Sequence, residues 1–168
     1  MPDSDAIVIN TGPILALVAA CGDLGILASV YRQVLVPFEV CSEVGAGGRV
    51  GFGLTEFAAA DYLVKQQEPT HVTPYLSHAL GPGEAAVIQL ALDRGIPTVC
   101  IDESVGRRLA RLSGLKVTGS LGVLLKAKRQ GLPVRIQTCI ERMRSHGVWV
   151  SDRVATDVLR HAGESGRE

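Results

Sequence analysis

The sequence predicts an α/β protein in three layers, a central parallel sheet covered by helices on both faces. Short β-branched runs alternate with longer segments of helical periodicity, the order that βαβ units produce. The run TVCI reads as a strand buried on both faces, as parallel strands are. A polar residue also stands beside several apolar runs: Asn10 closes AIVIN, Glu43 lies in FEVCSEV, Glu84 opens GEAAVIQLAL and Asp102 closes TVCID. In an open α/β sheet, the carboxyl ends of the strands and the neighbouring helix N-termini face one crevice, where ligands bind.

Taken in order, residues 6–10 form the first strand, stopped by Thr11-Gly12-Pro13, with Pro13 suited to a first helical turn. Ile14, Leu15, Leu17 and Val18 continue as a helical stripe that breaks near Cys21-Gly22. Asp23 is placed to cap a second helix carrying Leu24, Leu27 and Val30. Residues 33–36 read as a strand ended by Pro37, 38–44 as a short helix, and 45–53, with five glycines, as a mobile loop. From 54 to 82 the pattern weakens, with a strand over 62–65 and Pro69, Pro74 and Pro82 in loops. A helix over 84–94 then ends at Gly95 and leads into a strand over 98–101.

In the next helix Val105, Leu109 and Leu112 fall on one stripe. Gly114 ends it, 115–118 is a strand, and 120–130 is a helix stopped by Gly131 and Pro133. Residues 134–144 read as helical, 148–150 as a strand or bridge, and Ser151 as the cap of a last helix through Leu159. One domain is expected over 1–161, with 162–168 as a frayed tail.

Composition narrows the class. No uncharged apolar run reaches the roughly 18 residues of a spanning helix, and the acidic start MPDSD does not resemble a secretory signal. A cytoplasmic protein without a membrane partner is the expectation. Cys21, Cys41, Cys100 and Cys139 have no metal-ligand spacing and read as reduced, buried residues. Seventeen basic residues balance seventeen acidic ones, which argues against coating nucleic acid by bulk charge. Yet ten basic residues lie between Val105 and Ser145 against Glu141 alone. A basic half beside an acidic half suits a protein that holds a phosphate backbone over a cation; solvated helix faces give the same pattern.

The glycine stretch GAGGRVGFG fails as a nucleotide loop. Val50 takes the third glycine position of a dinucleotide fingerprint, and Leu54 stands where a Walker lysine would follow Gly53. A haloacid-dehalogenase phosphatase needs D-x-D-x-T after its first strand, where this chain has INTGP. Each of the four polar marks has two readings. Asp102 is a ligand or the cap of the helix containing Val105, and Glu84 is a ligand or a dipole partner of its own helix. Glu43 is a ligand or a solvated helix residue, and Asn10 is a ligand or a bond to the turn at Thr11-Gly12. Three carboxylates and an amide meeting at one crevice would suit Mg²⁺ or Mn²⁺.

VINTGPILAL, LVPFEVCSEV, GPGEAAVIQLAL, IDESVGRRLARLSGLKVTGSLGVLLKAKRQG and WVSD resemble the PIN-domain nucleases, close to a prokaryotic branch of predicted nucleic-acid-binding members. The likeness runs from about Ile7 to Leu159 and implies a flavodoxin-like α/β sandwich. It implies RNA cleavage with Mg²⁺ or Mn²⁺, and in many bacterial members a toxin held by a cognate antitoxin, often as a homodimer. By position, the catalytic set falls on Asn10, Glu43, Glu84 and Asp102, with Glu43, Glu84 and Asp102 as metal ligands. Thr11, Thr118 and Ser120 are candidates for the accessory hydroxyl, and Arg107, Arg108, Lys126 and Lys128 for contacts to flanking phosphates. The first position is usually Asp in the family, and Asn10 supplies only a neutral oxygen. Two functions therefore follow: a metal-dependent ribonuclease, or a catalytically weakened module that binds nucleic acid or a protein.

Overall fold

A computed structural model describes residues 5–47 and 51–165 of the chain. Its five strands are β1 (Ala6–Ile9), β2 (Gln33–Val36), β3 (Leu63–Lys65), β4 (Thr98–Cys100) and β5 (Lys116–Thr118). All neighbours pair in parallel, in the order β3-β2-β1-β4-β5. Strand β1 is central and wholly buried, with Ile7, Val8 and Ile9 at 0% exposure. Burying an Ile of this kind contributes about 1.5–3 kcal/mol, so the sheet centre is a main source of stability.

The helices are α1 (Thr11–Cys21), α2 (Gly25–Val30), α3 (Phe38–Gly45), α4 (Leu54–Ala59), α5 (Pro74–Ala79), α6 (Pro82–Arg94), α7 (Ser104–Leu112), α8 (Ser120–Arg129), α9 (Ile136–Ser145) and α10 (Asp152–His161). Helix α6 lies against β1 and β4, α2 lies against β2, and α8 and α9 stack on α1. The expected three-layer α/β sandwich is thus the observed one. Gly22 ends α1 with φ 83°, its N–H donating to Val18 O, a conformation open to glycine and costly to most other residues. The cap on the last helix is as the sequence predicts: Ser151 Oγ accepts from Val154 N.

Several expectations need correction. Residues 54–59 and 74–79 are helices, each with a single buried anchor, Phe57 and Leu76. Pro74 and Pro82 open helices instead of marking loops, since a first turn has no use for the missing N–H. Residues 148–150 form no strand. Of the glycine stretch, 48–50 lie outside the described residues. The stripe read on α7 is displaced by one residue. Val105 and Leu112 are 58% and 71% exposed, while Gly106 and Ala110 face inward, because small side chains let the helix approach closely.

The tail is not frayed as far as Glu164. Its carboxylate accepts from Ile136 N at 2.7 Å and Gln137 N at 2.9 Å, and pairs with Lys128. It thereby serves the free N-terminal N–H groups of α9. Burial would raise the Glu164 carboxyl, but the Lys128 bond and the two backbone donors outweigh it and hold it below the ordinary range. Its stabilising contribution is accordingly present at neutral pH and lost as pH falls through the acid range. Glu164→Ala should cost about 1–2 kcal/mol, read as a lower urea midpoint; an unchanged midpoint would remove Glu164 from the frame.

Candidate metal centre

In a sheet of this order the direction in which strands are added reverses between β1 and β4, and the crevice opens at their carboxyl ends. Asn10 follows β1 directly, and its backbone N–H donates to Cys100 O at the end of β4. Asp102 comes two residues after Cys100, and Glu43 rides on α3, which starts just past β2. Helices α6, α7 and α8 each run back from this rim, so their N-termini bring Glu84, Glu103 and Ser120 to it. Together with the start of α1, these helix N-termini supply a positive field at the edge.

The acids are held by backbone and hydroxyl groups of other elements. Glu43 Oε1 accepts from Gly83 N at 3.0 Å, and Oε2 accepts from Thr11 Oγ1 at 2.6 Å. Asp102 Oδ1 accepts from Ser120 N at 2.8 Å, and Oδ2 from Ser120 Oγ at 2.9 Å. Asp102 therefore caps α8 and not α7, the helix that follows it in sequence. Glu43 does for α6 what Glu84 was expected to do for its own helix. Asn10 sits at the N-cap position of α1 and makes no cap bond with its side chain, so the bond to the Thr11-Gly12 turn is absent. Its Oδ1 is buried, at a residue 6% exposed, and has no partner among the described residues. A buried unpaired amide oxygen costs about 1–3 kcal/mol. Such a group calls for a water or a ligand.

Glu84 is half-buried, and its carboxyl is pushed up from 4.5 to about 7. Burial is the largest cause, followed by the Glu103 carboxylate within hydrogen-bonding reach and the negative charges of Glu103 and Glu43. Glu103 is a site residue that sequence reasoning missed. The signal was there, a second acid directly after Asp102, but Asp102 drew the whole reading. A carboxyl raised in the folded state keeps its proton longer than in the unfolded chain, so metal-free stability should fall as pH rises from about 4.5 to about 7. Glu84→Gln should flatten that slope, measured as urea midpoints near pH 5 and pH 8. An identical slope in the variant would take Glu84 out of this environment.

The structure divides the remaining candidates. Thr11 and Ser120 touch carboxylates, whereas the Thr118 hydroxyl donates to Gly119 O at 3.5 Å and lies within hydrogen-bonding reach of Tyr31. Arg107 donates to Ile101 O at 2.8 Å and braces the end of β4, and Arg108 is exposed on α7. Lys126 and Lys128 are at the wrong end for flanking phosphates. Helix α8 carries them away from the rim, Lys126 to Asp5 at 3.8 Å and over the Tyr31 ring, Lys128 to Glu164. The expected single shell of three carboxylates is not formed either. Among the described residues no three His, Cys, Asp or Glu side chains are grouped closely enough to hold one ion. The reason is visible in the bonds above: α6 holds Glu43 and α8 holds Asp102 on separate sides.

The chemistry of the donors nonetheless suits a hard divalent cation. They are all oxygens, they bring surplus negative charge to one rim, and the buried amide oxygen of Asn10, which follows β1 at that rim, has no donor among the described residues. Strand order and rim acids together define a doubly wound α/β domain with an acidic centre at its switch point. The chain belongs to the PIN-domain family: the family model DUF3368, described as a PIN domain, matches residues 6–164. Neither curated proteins nor solved structures give a match. PIN domains are generally nucleases and typically use divalent metal ions, so the chain has a nuclease-like fold of the hydrolase class. No helix among the described residues is long and apolar enough to cross a membrane.

Proposed function

We propose that the chain is a metal-dependent ribonuclease hydrolysing RNA phosphodiester bonds. The observation that supports this reading is the placing of Glu43, Glu84, Asp102 and a buried Asn10 Oδ1, without a partner among the described residues, along the carboxyl edge of a PIN-type sheet, as separate groups that a cation would have to draw together. Asp102 and Glu84 would hold Mg²⁺ or Mn²⁺, with Glu43 bound to the ion or its water and Asn10 giving a neutral oxygen. When bound, the cation supplies a water of lowered pKa and neutralises charge growing on the phosphate. Ser120 and Thr11 keep Asp102 and Glu43 oriented, and Arg108 offers an exposed charge to a flanking phosphate. Hydrolysis would leave 5′-phosphate and 3′-hydroxyl ends.

The toxin role with a cognate antitoxin, the homodimer and the cytoplasmic setting belong to the same reading and are carried by the family resemblance and composition alone. A second reading, a binding module without cleavage, is favoured by one observation, the neutral Asn10 at the family's first acidic position. Incubation of end-labelled single-stranded and hairpin RNA with the native chain separates them. Cleavage with Mn²⁺ or Mg²⁺ that EDTA stops supports the ribonuclease. RNA binding without cleavage in either metal supports the binding module.

A further inference from the structure

Three of the carboxylates at the rim, Glu43, Glu84 and Asp102, share an unusual kind of neighbour. A Cβ placed on Gly83 would stand 2.6 Å from each of the two carboxylate oxygens of Glu43. One on Gly106 would overlap Oε2 of Glu84 and come 3.0 Å from Ile101 Cγ2. One on Gly119 would stand 2.5 Å from Asp102 Oδ1 and 2.9 Å from a guanidinium nitrogen of Arg107. None of the three has a positive φ, so the backbone does not require glycine at any of them. Gly83 and Gly106 lie inside helices, where glycine is weaker than alanine. Room is what these positions provide.

The pattern is selective. Four described glycines with ordinary φ would bring a Cβ within 3.0 Å of another atom, and three of them face these carboxylates. The fourth, Gly122, faces the Thr118 hydroxyl, while Gly12, Gly45 and Gly81 look into open space. We infer that Gly83, Gly106 and Gly119 are positioning residues, each reserving at its Cα the space where Glu43, Glu84 or Asp102 rests. The inference builds on the metal-dependent reading above and assigns the residues that shape that centre without ligating anything.

A methyl group at any of the three meets the mobile end of an acidic side chain before it meets backbone. The fold therefore survives and the carboxylate moves. At Gly83 the displaced Glu43 loses the bond from Gly83 N, and at Gly119 the displaced Asp102 loses the bond from Ser120 N. The Oδ1 of Asn10, buried at the same rim and without a partner among the described residues, is open to a water or a ligand there.

The test is a cycle of Gly106→Ala, Glu84→Asp and the double variant, read by Mn²⁺ binding in electron paramagnetic resonance and by metal-free melting. Aspartate is one methylene shorter and withdraws from Gly106. In the native background Gly106→Ala should weaken Mn²⁺ binding by about 10- to 100-fold; in the Glu84→Asp background it should weaken it no further. Without metal, the same substitution should be better tolerated in the Glu84→Asp background than in the native one, by about 2–4 °C in Tm. Gly45→Ala, with open space at its Cβ, should bind Mn²⁺ as the native chain does. Equal effects of Gly106→Ala in both backgrounds, or an equal loss in Gly45→Ala, would overturn the inference. If the native chain binds no Mn²⁺, the metal-dependent reading falls, and the metal-free cycle still decides the role of the glycines.

Discussion

Asp102→Asn is expected to lower metal-dependent RNA cleavage by about 10²–10³-fold while leaving the chain folded. Asp102 has two jobs, visible in its two bonds: it receives Ser120 N and Ser120 Oγ, and it brings a full charge to the rim. Asparagine keeps an oxygen for the backbone N–H of Ser120 and can donate to its hydroxyl, so α8 stays capped. The charge is lost, and with it several kcal/mol of attraction for a doubly charged ion. Alanine separates the jobs from the other side, because it also strips the cap, at a further cost of about 0.5–2 kcal/mol. Single-turnover cleavage and Tm, measured on both variants, distinguish these effects. Native cleavage in Asp102→Asn would place the chemistry elsewhere.

Asn10→Asp is the second large effect, and its sign depends on metal. The Asn10 side chain ends in a buried oxygen that nothing among the described residues donates to. A carboxylate there, with Glu43 and Glu84 at the same rim, has no donor to offset its desolvation. Without metal the variant should lose about 2 kcal/mol, or about 4–8 °C in Tm at this chain length. With Mn²⁺ the added charge becomes a ligand. Affinity should rise by at least about tenfold, since hard-cation sites are tuned by ligand charge, and bound metal should restore the lost stability. Cleavage decides between the two functional readings. A native chain that cuts already, and cuts faster as Asn10→Asp, is the ribonuclease; cutting confined to the variant identifies the binding module.

The sheet was legible because buried parallel strands leave a plain mark, as in AIVI, QVLV and TVCI: the first two are whole strands and the third is a strand with one residue to spare. The six-residue helices α4 and α5 were not, because each buries a single large side chain and one anchor shows no period. Helix α7 was placed correctly and turned incorrectly. Its inward face is made of Gly106 and Ala110, and a hydropathy pattern favours the larger Val105 and Leu112 that stay outside. At the site, the acids could be named from their places after strands and at helix starts. Their partners could not, since Gly83 N and Ser120 N are backbone donors that no side chain announces. Lys126 and Lys128 failed for a related reason. Charge along a chain carries no direction, and only the course of α8 shows that they end beside Asp5 and Glu164.

The unequal anchoring of the acids has a practical side. Glu43 and Asp102 tie helices down as well as lining the rim, so removing either one blurs a lost reaction with a loosened scaffold. Glu84 makes no such tether among the described residues, and burial first, then its acidic neighbours, disfavour its charge. Under the ribonuclease reading, its neutral isostere Glu84→Gln is therefore the choice for a silent bait, a sturdy copy expected to grip transcripts without severing them and let them be sequenced.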